Sequence, residues 1–186
     1  MATTIHFIRH GSVEDPLDIY YGRLPGYPLS QLGRDEATQL AKRLKNYPIT
    51  KIYTSPLQRT QETAKIISEQ IDCQIVVDQR LIEVNASFEG QPRVDLHRKR
   101  TAADYGESMA EIFDRMSKFV NQVVVEHPDE QIVAVSHGGP IRLLVMGLES
   151  LPFTDYAYEE EGAPDYASDT VIRVDDKGAT ITKLNF

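Results

Sequence analysis

The tripeptide Arg9-His10-Gly11 ends the β-like apolar run that starts at Thr4, and it sets a nucleophile beside a phosphate clamp. A histidine ring nitrogen can form a covalent catalytic intermediate, and arginine offers paired N–H donors that match phosphoryl oxygens. Gly11 adds a backbone that a ligand can approach closely. Taken alone, the tripeptide also fits polar residues at the end of a strand. Three more residues occupy comparable positions: Arg59 in the first helical turn after a second predicted strand, Glu83 after a third, and His137 after a fourth. Each has an ordinary reading of its own: a surface ion pair, a loop carboxylate, a core histidine. Open parallel sheets bind ligands beyond the carboxyl ends of their strands, so four such endings can converge on one crevice. A nucleophile, cations and a proton-moving carboxyl then make one candidate pocket for phosphoryl transfer.

The elements that must position these residues alternate along the chain. The strand Ile5 to Ile8 leads into a loop punctuated by Gly22, Pro25, Gly26 and Pro28. Ser30 is a cap for a helix whose Ala37, Leu40, Ala41 and Leu44 follow 3,4 spacing. A strand from Ile49 to Thr54 follows, and Ser55-Pro56 reads as N-cap and first position of the next helix, with Leu57, Ala64, Ile67 and Ile71 on its apolar stripe. Gln74 to Val77 is a short strand. Ser108 and Glu111 form the S-x-x-E capping box of a long helix. Ile132 to Val135 reads as a buried strand, Gly138-Gly139-Pro140 opens a helix through Leu148, and two β-like runs around Asp176-Lys177-Gly178 read as a terminal hairpin. Strands separated by helices predict an α/β fold: three layers, α/β/α, with a mainly parallel sheet, a C-terminal hairpin and a small cap insertion at 85–105.

Composition bounds the rest. A chain of 186 residues with 41% hydrophobic and 26% charged content is expected to form a single domain, 1–186. Twenty Lys+Arg against 28 Asp+Glu give a net charge of -8, which argues against a nucleic-acid or anionic-membrane binder. An anionic ligand therefore needs a local positive pocket. Cys73 is the sole cysteine, so neither an internal disulfide nor a cysteine metal cluster is expected; it reads as a packing residue or a thiol in a reducing compartment. No basic-then-apolar leader precedes the first strand and no apolar run reaches membrane-spanning length, so the expected location is cytoplasmic.

With these residues in place, the sequence resembles the histidine phosphatase superfamily, also called phosphoglycerate-mutase-like. Arg9-His10-Gly11 matches its R-H-G signature, and residues Gly22 to Gly33, with Leu29 of Pro28-Leu29 four residues before Gly33, are similar to its glycine-to-glycine P-L-x-x-x-G loop. Ser55-Pro56-Leu57-Gln58-Arg59 with Thr63-Ala64 matches S-P-L-x-R-x-x-x-T-A. Leu81-Ile82-Glu83, Phe88-Glu89-Gly90, Gly106-Glu107-Ser108 and Ser136-His137-Gly138-Gly139 follow in family order.

The resemblance implies that His10 attacks phosphorus while Arg9, Arg59 and His137 neutralise its oxygens, helped by backbone N–H groups near Gly11 and Gly138. It implies Glu83 as general acid and then general base, with Gly22 and Arg23 also on the substrate side, and neither metal nor cofactor. The expected ligand is a small-molecule phosphate ester. Two guanidinium groups beside His10 should disfavour its protonation. This chain carries Ser12-Val13 and Pro16 where many mutase-like members carry Glu-Thr and Asn, so those side-chain contacts do not transfer. Its short length favours a phosphatase over a mutase, with a noncatalytic phosphate-binding module as the third reading. The cluster Arg93, His97, Arg98, Lys99 and Arg100 is either a solvated basic face or a contact for a second anionic group.

Overall fold

The computed structural model describes residues 2–93, 104–153 and 164–184. The basic residues His97, Arg98, Lys99 and Arg100, with the rest of 94–103 in the expected cap insertion, and the acidic Tyr156–Glu161 segment lie outside those residues.

The chain runs β1 (Ala2–Arg9), α1 (Gln31–Leu44), β2 (Ile49–Thr54), α2 (Gln58–Ile71), β3 (Ile75–Val77), a 3-10 turn (Gln79–Leu81), α3 (Met109–Glu126), β4 (Gln131–Ser136), α4 (Gly138–Leu148), β5 (Asp169–Asp175) and β6 (Gly178–Leu184). The six-stranded sheet has the order β3-β2-β4-β1-β5-β6. Strands β1, β2, β3 and β4 are mutually parallel, and the hairpin β5–β6 joins β1 antiparallel, so the sheet is mixed, with a parallel portion that carries the site.

Each sheet face buries its own set of side chains. Alternate residues of β1 point to opposite faces, which sends Ile5 and Phe7 toward Ile112, Met116 and Phe119 of α3 and Leu143 and Leu144 of α4. Ile8 points the other way, against Leu40, Ala41 and Leu44 of α1 and Ala64 and Ile67 of α2. Helices therefore cover both faces, and the expected three-layer α/β/α architecture is observed.

Local signals explain the starts of α1 and α3. The Ser30 hydroxyl accepts from the Gly33 N–H at the start of α1. Ser108 and Glu111 form a reciprocal capping box at α3. At α2 the expectation fails: the helix begins at Gln58, its cap residue Leu57 has no side-chain bond, and Ser55 is recruited elsewhere. Within the cap region, 85–93 lies along the 18–21 loop through backbone pairing of Tyr20 with Gln91 and Gly90. Phe88 is buried there between Tyr20 and Tyr105, with ring centroids 4.6 and 5.4 Å away.

Candidate active site

Parallel registration brings the predicted residues together. Arg9 on β1 pairs with Ser136 on β4, and Thr54 on β2 pairs with Val135, so His10, Ser55 and His137 leave their strands side by side. Backbone bonds extend the ladder one residue past the strands: the His10 N–H donates to Ser136 O at 3.1 Å, and the Ser55 N–H to Val135 O at 3.0 Å. Arg59, one residue inside α2, is only 1% exposed and reaches between the two histidines.

The hydrogen bonds fix the imidazole tautomers. His10 Nδ1–H donates to the Gly11 carbonyl at 2.8 Å, leaving Nε2 as an acceptor for Arg59 Nε–H at 3.1 Å. Arg59 Nη2 donates to the Gly22 carbonyl at 2.7 Å and to His137 Nδ1 at 3.2 Å. An arginine can only donate, so His137 carries its proton on Nε2, which faces Ser55 Oγ at 2.8 Å. His10 thus presents a lone pair directed at the buried guanidinium.

Burial and charge act in one direction on both rings. Desolvation, then the Arg59 charge, holds His10 well below the usual histidine value, and Arg9 adds to this against the opposing Gly11 bond. His137 is lowered for the same reasons in the same order, with His10 also contributing. Glu83 is pushed upward by burial, opposed by Arg59, the Val84 N–H, Arg9 and Arg115. Glu83 Oε2 lies 3.8 Å from His137 Nδ1, yet burial favours the neutral form of both groups, so this approach is not an ion pair. A carboxyl whose affinity for its proton is raised, beside an uncharged imidazole, is suited to proton donation.

Arg9, His10, Glu83, Tyr20, Gly22 and Arg93 line a cavity of about 40 Å³. A cleft of about 710 Å³ lies beside Arg59 and Arg23 but touches neither His10 nor Glu83, so the titratable constellation belongs to the smaller space. Arg9 Nη1 donates to Pro164 O at 2.7 Å and its guanidinium lies 3.9 Å above the Tyr166 ring, while its buried Nε has no partner.

Several expected residues are already engaged by the protein. The Gly11 N–H donates to Thr63 Oγ1 at 3.2 Å, and a Cβ on Gly11 would meet the Gly33 carbonyl at 2.4 Å. Its bareness thus serves the packing of this turn against α1. Gly22 has φ +41°, its carbonyl holds Arg59, and a Cβ there would meet Glu89 Oε1 at 2.3 Å. Arg23 donates to Glu107 and, through Nε, to the Glu83 carbonyl at 2.7 Å. Gly138 is the first residue of α4, behind His137 as cap, which leaves the helix N-terminus beside the pocket. Ser12 is tied to Glu36 of α1 by its N–H and hydroxyl.

Sequence reasoning missed Ser55, Thr63, Tyr21 and Tyr166. Ser55 shared the strand-end position of His10 and His137, and that was its signal. Tyr21, which lines the small cavity, and Tyr166, whose ring lies 5.6 Å from that of His10, join hydroxyls at 3.1 Å, a contact no local spacing encodes.

Among the described residues no three His, Cys, Asp or Glu are grouped to hold a metal ion, and no helix is long and apolar enough to cross a membrane.

Residues 5–186 match the model of the histidine phosphatase superfamily, branch 1, and the chain therefore belongs to that family of phosphatase enzymes. An uncharacterized protein of Mycobacterium tuberculosis is 36% identical over 151 residues, covering 75% of each chain. Phosphoserine phosphatase 1 of Hydrogenobacter thermophilus is 28% identical over 196 residues, 96% of this chain and 90% of that protein. The solved structure of Bacillus stearothermophilus YhfR superposes with a TM-score of 0.83 at 26% identity, covering 97% of this chain and 96% of that one.

Proposed function

We propose that this chain is a metal-independent phosphomonoesterase that hydrolyses a small phosphorylated metabolite through a phosphohistidine on His10. The observation that carries the reading is the His10 ring itself, its Nδ1–H tied to the Gly11 carbonyl and its Nε2 lone pair facing Arg59 in a cavity shared with Arg9 and Glu83.

The steps follow from these positions. Nε2 of His10 donates its lone pair to phosphorus, the ester P–O bond breaks, and the departing alkoxide takes the proton of Glu83. Arg59 turns its donor from Nε2 to a phosphoryl oxygen, and the unpartnered Arg9 Nε–H supplies another. The incoming negative charge favours protonation of His137, which then becomes a third cation at the oxygens. Glu83, now a carboxylate, accepts a proton from water as the water oxygen attacks phosphorus. The P–N bond breaks, the lone pair returns to His10, and both groups are restored. Positioning and charge stabilisation supply most of the rate in such transfers.

A panel of phosphate esters, assayed without added metal and with chelator, tests this. Phosphate release that persists in chelator and disappears in His10→Ala is expected. Release abolished by chelator, or undiminished in that variant, overturns the proposal. A bisphosphorylated glycerate primer separates the mutase alternative, since primer dependence with an isomerised product would replace hydrolysis as the activity.

A further inference from the structure

Glu107 sits at the centre of a charged bridge that the proposed chemistry leaves unused. Its Oε1 accepts from Arg23 Nη2, from Arg115 Nη2 at 3.1 Å and from the Asn85 N–H at 3.1 Å. Its Oε2 accepts from Arg115 Nε at 3.0 Å. Both arginines then reach past it to the main-chain carbonyl of Glu83, Arg23 through Nε at 2.7 Å and Arg115 through Nη2 at 3.4 Å. Arg115 also ties down the Arg80 carbonyl, at the other end of the same loop. The bridge is largely buried, with Glu107 and Arg115 each 16% exposed and Arg23 28% exposed.

We infer that Glu107 is a positioning residue for Glu83, clamping two arginines onto its backbone and neutralising their charge so that the Glu83 carboxyl keeps its proton until the leaving group needs it. This rests on the proposed role of Glu83 as acid.

Two consequences of the geometry carry the inference. First, Arg23 follows Gly22, whose carbonyl orients Arg59, so the Glu107 bridge couples the acid's loop to the loop holding the phosphate-side arginine. Second, the charged and titratable groups facing Glu83 come from several elements: Arg9 at the end of β1, Arg59 on α2, Arg115 on α3, His137 at the cap of α4, Arg23 on the loop between β1 and α1, and Tyr20, Tyr21 and Arg93, which line the same small cavity. Of these, Arg59, Arg9 and Arg115 already oppose the upward push of burial on Glu83. Glu107 is the carboxylate bonded to both Arg23 and Arg115. Without its charge their guanidinium groups would act on Glu83 uncompensated, and its proton would be lost at lower pH.

The test pairs kinetics with a direct titration. Glu107→Gln keeps the shape of the side chain and removes its charge. In wild type and in this variant, turnover of β-glycerol phosphate and p-nitrophenyl phosphate is followed against pH, and the Glu83 carboxyl is titrated by NMR in carbon-13 glutamate-labelled protein, with Glu83→Gln assigning the resonance. Glu107→Gln should move the Glu83 midpoint and the alkaline limb of glycerol phosphate turnover to lower pH. At neutral pH it should lose ~10-fold on the alkyl ester and less than ~3-fold on the aryl ester, whose leaving group needs little protonation. Arg115→Gln should move the Glu83 midpoint the opposite way, and it serves if Glu107→Gln does not fold. An unmoved midpoint, shifts of the same sign in both variants, or equal losses on the two esters would overturn the inference. If wild type hydrolysed neither ester, the function would fall while the titration still decided the role of Glu107.

Discussion

His10 and Glu83 are adjusted to opposite tasks by the same burial. Desolvation holds His10 well below the usual histidine value and raises Glu83 above the usual carboxyl value, so the same burial favours a free nucleophile and a protonated acid. Replacing Glu83 with Gln should therefore lower kcat/KM for alkyl phosphates by ~10²-fold or more while sparing kcat/KM for activated aryl phosphates, whose phosphorylation step needs little protonation. Steady-state rates across an ester series of graded leaving-group pKa would display this as a steeper dependence in the variant, and parallel lines would contradict it. Ser55→Ala should leave the buried His137 Nε2–H without its 2.8 Å partner, lower kcat/KM by ~10-fold and cost ~1–3 kcal/mol of stability, read by kinetics and urea unfolding. Arg9, His10, Arg59, Glu83 and His137 were legible because their types announce the chemistry and each follows a readable strand. Ser55 was misread as a helix cap, because serine before proline is a strong local signal that the tertiary demand of His137 overrides. Arg23 was read as facing substrate and does border the cleft beside Arg59, but nothing local reveals that Glu107, 84 positions away, holds it.

At the scale of elements, short loops and caps hold the pocket in register. Strand pairing places His10 next to Ser136 and Ser55 next to Val135, so the site's accuracy derives from the parallel ladder. Gly22→Ala should disturb it from outside the ladder, since a side chain at φ +41° meets Glu89 and shifts the carbonyl that orients Arg59. A stability loss of ~1 kcal/mol or more with a larger fall in kcat is expected, measured by urea unfolding beside kinetics. Ser108→Ala provides the contrast. Loss of the α3 capping box should cost ~1 kcal/mol and leave kcat essentially unchanged. Helices and strands were readable from periodicity and caps. The departure at α2 arose where the residues after β2 serve the site before they serve the helix.

For the whole molecule, the buried neutral imidazoles make stability depend on pH. The folded values of His10 and His137 lie below the ordinary 6.5, so the unfolded chain binds more protons as pH falls through that value, and stability is lost on the acid side. Glu83 acts oppositely: its folded value is raised above 4.5, so its contribution is present in acid and is lost as pH rises through the folded value. Chemical unfolding between pH 7.5 and 5 should show a decline that a His10→Gln, His137→Gln double variant flattens by up to ~1.4 kcal/mol per pH unit for each histidine. Equal slopes in the two proteins would contradict the burial of neutral rings. The three-layer architecture was legible in the alternation of elements. The antiparallel placement of β5 beside β1 is a long-range pairing that sequence spacing leaves open, and it brings Pro164 and Tyr166 onto Arg9.

The covalent step is the center of the account, and trapping it is the most direct measurement. Wild type quenched in alkali during turnover of a radiolabelled phosphate ester should carry acid-labile label that peptide mapping places on His10. His10→Ala should carry none, and Glu83→Gln, slow to hydrolyse the intermediate, should accumulate at least as much from an activated aryl ester. Turnover without any labelled protein in the Glu83 variant, or label on another residue, would contradict it.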